Sequence, residues 1–170
     1  TMIKLLLYTG LRRGELMGLE WKDINFDTGL MQIIRTSQYI GNKTIITKDP
    51  KTASGRRKLT LSRSACNMLR EHKKWQRTQR LLLCDQWVDT DRLFTAWNGT
   101  PMYPDTISKW FTEFIEKNGF PKVSLHSLRH SNASMMIAEG VDIRTVSQRL
   151  GHADTSTTLN IYTHALKSRD

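Results

Sequence analysis

Asp27-Thr28-Gly29-Leu30-Met31-Gln32-Ile33-Ile34-Arg35-Thr36 is the stretch in which the chain changes its period. Asp27-Thr28-Gly29 is a turn signal, and from Leu30 onward apolar and polar residues follow a period of two. Leu30 to Thr36, Thr44 to Thr47 and Arg57 to Leu61 read as three strands. Ile40-Gly41-Asn42-Lys43 joins the first two as a hairpin, and residues 48–56, with Asp49-Pro50 and Ser54-Gly55, join the second to the third. On either side the period is helical. Ile3, Leu6 and Leu7 make a short helix stopped at Gly10, and Arg12 to Leu19 restarts the pattern. After Ser62, a candidate N-cap, Ala65, Met68, Leu69, His72 and Trp75 share one helical face, while 75–91 is mixed. Asp105 to Lys117 is the clearest helix, with Ile107, Trp110, Phe111, Phe114 and Ile115 as its stripe. A further helix over about 126–139 turns Leu128, Met135 and Met136 inward. Asp142 then caps a helix that Gly151 ends, and a short last one starts near Thr155. The expected fold class is α+β, mostly α: a helical domain with a small three-stranded antiparallel sheet at one edge.

The chain has 170 residues, the size of one domain. With 38% apolar and 25% charged residues it reads as globular, not disordered. A domain this long buries about 70% of its unfolded surface and needs no disulfide or metal staple. Against 16 Asp+Glu stand 26 Lys+Arg, a formal charge of +10. That excess favours an anionic partner, nucleic acid first, over a basic surface serving only solubility. Two cysteines, Cys66 and Cys84, are too few for a disulfide framework or a structural zinc site and point to a reducing cytoplasm. No apolar run approaches the ~20 residues that span a bilayer, so no membrane partner is expected. The start is too short for a signal peptide and reads as a piece of a longer protein, entered within a helix.

The candidate reactive groups lie far apart. Arg12 follows a glycine break, with Glu15 at i,i+3 placed to hold its guanidinium; a surface ion pair is the plainer reading. Lys51 sits in the strand-connecting loop near Arg56, Arg57 and Lys58, suited to a phosphate or simply solvated. In His126-Ser127-Leu128-Arg129-His130, His126 and Arg129 are helix neighbours suited to one bound anion, a planar fork beside a proton-exchanging imidazole. His126 and His130 also have the i,i+4 spacing of two metal ligands, without an obvious third. His152 follows a helix-ending glycine, pointing to a cleft, and Tyr162 falls on the next helix, where core packing is the plain alternative. Residues 142–162 also have the outline of a helix-turn-helix DNA reader.

Together Thr9-Gly10-Leu11-Arg12-Arg13-Gly14-Glu15-Leu16, Lys51, Leu125-His126-Ser127-Leu128-Arg129-His130, Leu150-Gly151-His152 and Ile161-Tyr162-Thr163-His164 resemble the catalytic domain of the tyrosine recombinase (phage integrase) family. The wording is most similar to integrases of phages and conjugative transposons, and Lys48 and Lys58 compete with Lys51 for its position. The resemblance implies a domain over 1–170 that lacks the family's N-terminal core-binding and arm-binding domains and has a short C-terminal tail. Alone, such a piece is expected to bind DNA weakly and recombine poorly, while still able to cleave.

The implied activity is site-specific recombination through a 3′-phosphotyrosyl intermediate, integrating or excising a mobile element without ATP, metal or other cofactor. Tyr162 would be the nucleophile, a phenol of ordinary pKa ~10 that needs a base such as His126 and nearby positive charge. Arg12 and Arg129 would clamp the non-bridging oxygens, His152 would add a hydrogen bond, and Lys51 would protonate the departing 5′-oxygen. Glu15 would orient Arg12. Arg56, Arg57, Lys58 and Lys109 are the expected outer DNA contacts. The implied partners are double-stranded DNA at attachment or core sites and further copies of the protein, monomeric when free and tetrameric on DNA. The implied setting is the bacterial cytoplasm, at the nucleoid. The rival readings are a non-catalytic helix-turn-helix DNA-binding protein and a metal-dependent nuclease built on His126 and His130.

Overall fold

Gly10 decides how the first two helices meet the last two. α1 (Met2–Thr9) buries Leu5 and Leu6 and ends at Gly10, whose φ of 63° is the left-handed conformation that glycine adopts most cheaply. A Cβ at Gly10 would overlap the Leu150 side chain and lie 2.8 Å from Asn132 Oδ1. The chain therefore turns here against two helices more than a hundred residues away. α2 (Arg13–Gly18) follows, burying Glu15, Leu16 and Met17. The structure, a computed structural model, describes residues 1–41, 44–50, 55–152, 154–156 and 158–159.

The strands are β1 (Ile24–Asn25), β2 (Leu30–Ile33), β3 (Thr36–Ile40), β4 (Thr44–Lys48) and β5 (Arg57–Thr60). They form an antiparallel sheet in the order β1-β2-β5 and a separate hairpin of β3 and β4. Met31 pairs with Leu59 and Ile33 with Arg57, whereas Thr36 pairs with Lys48 and Tyr39 with Ile45. The small antiparallel sheet is as expected, but its membership differs. The single strand expected over 30–36 breaks at Ile34-Arg35, because the Arg35 guanidinium is drawn to the Asp23 and Glu20 carboxylates. The hairpin forms from residues 36–40 and 44–48, so it shares only Thr36 with the expected first strand, and the third member of the sheet is β1, which at two residues is too short to display a period.

α3 (Arg63–Leu83) begins where Ser62 Oγ accepts from the Ala65 N–H at 3.2 Å. It continues through the mixed stretch after Trp75, where Arg, Gln and Leu are good helix formers and no breaker intervenes. α4 (Pro104–Lys117) has proline in its first turn and buries Ile107, Phe111 and Ile115. Trp110 and Phe114, expected in the same stripe, stay on its open side and stack on each other at 5.3 Å. α5 (Leu125–Ala138) buries Arg129, Asn132 and Ala133, while Met135, expected inward, is exposed. α6 (Ile143–Leu150) starts at Asp142, which accepts from the Thr145 N–H at 2.9 Å, and ends at Gly151. A helical turn opens at Thr155, with Thr158 and Leu159 donating to its carbonyl. Lys51 and Tyr162 lie outside the described residues. No described helix is long and apolar enough to cross a membrane.

The main core joins Leu5, Leu6, Leu16, Met31, Ile33, Leu59, Leu69, Leu93 and Ile107. A smaller cluster of Ala133, Val146 and Leu150 holds α5 to α6. Between the sheet and the hairpin lies a polar seam. Arg92 donates to the Gly18 carbonyl at 2.7 Å and to Thr47 Oγ1 at 2.6 Å, fixing β4 to the end of α2. Replacing Gly10 by alanine is expected to lower stability by about 2–3 kcal/mol, the sum of a strained positive φ and an overpacked contact with Leu150. A denaturant midpoint unchanged from that of the parent protein would contradict this account.

Candidate active site

The site grows from the end of α6. A helix leaves its last carbonyls without partners and carries negative potential there. Three consecutive carbonyls at this end each take a guanidinium donor from a different element. Arg57 Nε, at the start of β5, donates to the Arg149 carbonyl at 2.7 Å. Arg129 Nη2, from α5, donates to the Leu150 carbonyl at 2.7 Å. Arg12 Nη2, at the N-cap of α2, donates to the Gly151 carbonyl at 2.9 Å. Arg129 also reaches the Gly10 carbonyl through Nη1 at 2.6 Å, so the same side chain binds the ends of α1 and α6.

Glu15 organises two of these cations. Its carboxylate accepts from Arg12 Nη1 and the Arg12 backbone N–H at 2.9 and 2.8 Å, and from both terminal nitrogens of Arg57 at 2.9 Å. Burial alone would raise this carboxyl; the hydrogen bonds and charge of Arg57, with those of Arg12, outweigh it and hold Glu15 below its ordinary value. Side-chain exposure separates the three partners: Arg57 is 7% and Glu15 5% exposed, whereas Arg12 is 43% exposed. Arg12 is thus the most exposed of the three.

Arg12, Arg129 and His126 line one cleft of about 720 Å³, whose other walls include Thr36 and Tyr39 of β3 and Asp105 and Ser108 of α4. Arg13 closes one side, donating to Asp105 Oδ1 at 2.6 Å and Ser108 Oγ at 3.0 Å. The α4 N-terminus is therefore tied to α2. Burial, then the neighbouring Arg12, pushes the Arg129 guanidinium down to about 9, which leaves it charged at neutral pH. Burial and the same arginines push the His152 imidazole down to about 4, so it is neutral there. His126 also lies below its ordinary value, through burial and then His130, Arg129 and Arg12. Its ring meets the His130 ring edge to face, with centroids 4.6 Å apart. His152 Nδ1 is 2.8 Å from the buried Thr158 hydroxyl. A cleft with fixed guanidinium donors and neutral imidazoles suits a phosphate undergoing displacement, with cations to bind its oxygens and bases to take protons.

Of the residues read from the sequence, Arg12, His126 and Arg129 come together on the cleft, and His152 is held beside them through Gly151. The outer residues behave differently from one another. Lys58 and Lys109 are exposed. Arg56 is exposed but pairs with Asp49. Arg57, expected among the outer DNA contacts, points inward and is occupied by Glu15 and the α6 end. The signal was present in the period of β5: Arg57 shares a face with buried Leu59, whereas Arg56, Lys58 and Thr60 face out. Thr158 was not singled out, since nothing in sequence separates it from Thr155 and Ser156. Within the helix-turn-helix outline, Gly151 at the turn is buried, and the Leu150 and Gly151 carbonyls are held by Arg129 and Arg12; residues 153, 157 and 160–162 of that outline lie outside the described residues. Among the described residues no three His, Cys, Asp or Glu side chains gather as metal ligands.

Known proteins share this arrangement of chain. A XerC-like tyrosine recombinase of Caldanaerobacter subterraneus subsp. tengcongensis is 32% identical over 169 residues, covering 93% of this chain and 43% of that protein. An integrase of a Staphylococcus phage is 30% identical over 173 residues, 95% of this chain and 46% of its own length. The chain thus spans about half the length of the curated relatives it matches. Among solved structures, the Tn1549 transposon integrase in complex with transposon right end DNA superposes with a TM-score of 0.82 at 23% identity, over 98% of this chain and 56% of that one. The XerA recombinase gives 0.72 at 28% identity, over 97% and 54%. The model of the phage integrase family matches residues 1–169, and the chain belongs to that family.

Proposed function

We propose that the protein cleaves and rejoins DNA strands as a tyrosine site-specific recombinase, integrating or excising a mobile element. The observation that carries this reading is the convergence of Arg12 and Arg129, from opposite ends of the chain, on the end of α6 beside His126 and His152. Relatives named as recombinases and integrases support the reaction class, and the DNA in the Tn1549 integrase complex supports DNA as the substrate.

In the proposed reaction the Tyr162 phenol oxygen attacks a backbone phosphorus. His126 takes the phenolic proton. The bond from phosphorus to the 5′-oxygen breaks, and Lys51 gives that oxygen a proton. A 3′-phosphotyrosyl link and a free 5′-hydroxyl result, and attack by a 5′-hydroxyl reverses the step. Phosphodiester character is kept throughout, so no external energy source enters. Arg12 and Arg129 meet the charge that develops on the non-bridging oxygens. They are held in advance by carbonyls and Glu15 and need little rearrangement when that charge appears. His152 is neutral, with one N–H. With the Thr158 hydroxyl donating to Nδ1, the hydrogen lies on Nε2, where it adds a donor to the phosphate. Lys58 and Lys109 supply outer phosphate contacts that strengthen binding without reading sequence. Double-stranded attachment or core sites are the proposed substrate, with a tetramer assembled on DNA from free monomers. Core-binding and arm-binding domains are proposed for the remaining length seen in the relatives, and the cytoplasm at the nucleoid for the setting.

The direct test is a nicked DNA substrate that loses its 5′-hydroxyl fragment after cleavage. The protein is expected to form an adduct that survives denaturant, absent in Tyr162→Phe and formed 10²–10³-fold more slowly in Arg129→Ala. A DNA reader forms no adduct, and a metal nuclease cleaves without one and stops on chelation; either outcome overturns the proposal. At subsaturating DNA, where the rate reports the free protein, the acid limb of cleavage is expected below pH 6.5, because the His126 base is lost only as pH falls through its lowered value. His152 stays neutral across that limb. A limb above pH 6.5 would remove His126 as the base. Thr158→Val, which keeps the shape but removes the hydroxyl, is expected to slow single-turnover cleavage about 10-fold with DNA affinity intact; an unchanged rate would show that Thr158 does not set the His152 hydrogen.

A further inference from the structure

We infer that Arg57 is a positioning residue for strand cleavage, acting through Arg12 and the end of α6 without touching DNA. The inference rests on the recombinase reading and adds a part to its site. Four of the five N–H donors of Arg57 are taken by described residues of the protein. Nη1 and Nη2 bind the two oxygens of Glu15 at 2.9 Å each, and Nε binds the Arg149 carbonyl at 2.7 Å. Unlike Arg12 and Arg129, Arg57 does not line the cleft, and 7% of its side chain is exposed.

What Arg57 holds is what the chemistry needs held. Glu15 accepts one hydrogen bond from the Arg12 side chain and one from its backbone, and it is charged in a buried place because Arg57 supplies two more. Arg12 itself is 43% exposed, with a long side chain that retains many conformations unless its partner is fixed. Arg57 also pins the carbonyl two residues before Gly151, whose own carbonyl receives Arg12 and whose successor is His152. One side chain therefore sets both ends of the Arg12 contact. It has a third attachment as well: Nη1 lies 3.4 Å from the Gly55 carbonyl, where the segment carrying Lys51 rejoins β5. Lysine cannot replace it, since a single ammonium cannot present parallel donors to two carboxylate oxygens while Nε binds a carbonyl.

The test uses the protein on the nicked substrate and reads three quantities: single-turnover adduct formation, DNA affinity and melting midpoint. Arg57→Lys is expected to cleave 10–100-fold more slowly with DNA affinity within about twofold of the parent. The decisive comparison is the pair with Arg12→Lys. If Arg57 acts through Arg12, the double variant is no more than about twofold slower than Arg12→Lys alone, because residues working as a unit are not additive. A residue serving only stability would multiply the two losses, and that result overturns the inference. So does a wild-type rate in Arg57→Lys. Arg57→Gln, which keeps one donor for Glu15, is the second variant and takes the same comparison. If neither variant has a native circular dichroism spectrum, the role is structural and the inference fails. A parent protein that forms no adduct removes the recombinase reading and this inference together; a parent that does, with Arg57→Lys unimpaired, removes the inference alone.

Discussion

At the end of α6 the carbonyls of Arg149, Leu150 and Gly151 have no helical partner among the described residues, and Arg57, Arg129 and Arg12 fill them in that order. Successive residues of a helix turn through about 100°. Neighbouring end carbonyls are therefore set at different points round the axis, and three different elements supply the donors. The arginines come from a sheet strand, from a helix interior and from the cap of another helix. Gly10 belongs to the same constraint, since its carbonyl takes the other arm of Arg129 and its missing Cβ lets Leu150 and Asn132 approach.

Three guanidiniums around one carboxylate leave the cluster positive. Like charges 4 Å apart at an effective dielectric of 20 oppose each other by about 4 kcal/mol, so the arrangement carries a standing cost. Part is offset by Glu15 and part by the carbonyl dipoles. The remainder appears in the chemistry of the neighbours, with Arg129 pushed down to about 9 and His152 to about 4, burial being the larger cause in each. The described part of the site holds its donors in place with an excess of positive charge. Fixed donors of this kind suit an anion, since they need not move when negative charge appears beside them.

Local patterns in the sequence carried most of the elements. The i,i+3 relation of Arg12 and Glu15, the N-caps at Ser62 and Asp142, and the glycine stops at 10 and 151 all rest on neighbours within four residues, and they appear in the structure as read. The misplacements occur where two faces compete. Trp110 and Phe114 have the right spacing for the α4 stripe but sit at its margin, where their stacking on each other substitutes for the core. Arg57 was grouped with Arg56 and Lys58 by charge, although the alternation of β5 sets it beside Leu59. The meeting of Arg12 with Gly151 has no local signature. It became legible only because four separated segments together resemble one family.

The α5–α6 pair has little apolar mass of its own, for its buried cluster consists of Ala133, Val146 and Leu150 with Met136, Ile137 and Val141 packed against it. Leu125 and Leu128 of α5 pack on the main core, and directed polar bonds add to that attachment: Asn132 Nδ2 to the Leu7 carbonyl at 2.7 Å, Arg129 to Gly10, and the arginines at the α6 end. Apolar contact tolerates sliding because it has no preferred direction, whereas each of these bonds weakens steeply as its angle departs from linear. Polar docking therefore fixes the orientation of α6 more sharply than the same area of apolar packing would. His152 leaves that helix directly, and the chain toward Tyr162 continues from it. The bonds that orient the helix are also the bonds that orient the arginines, so in this fold docking α6 and assembling the arginine cluster are one event.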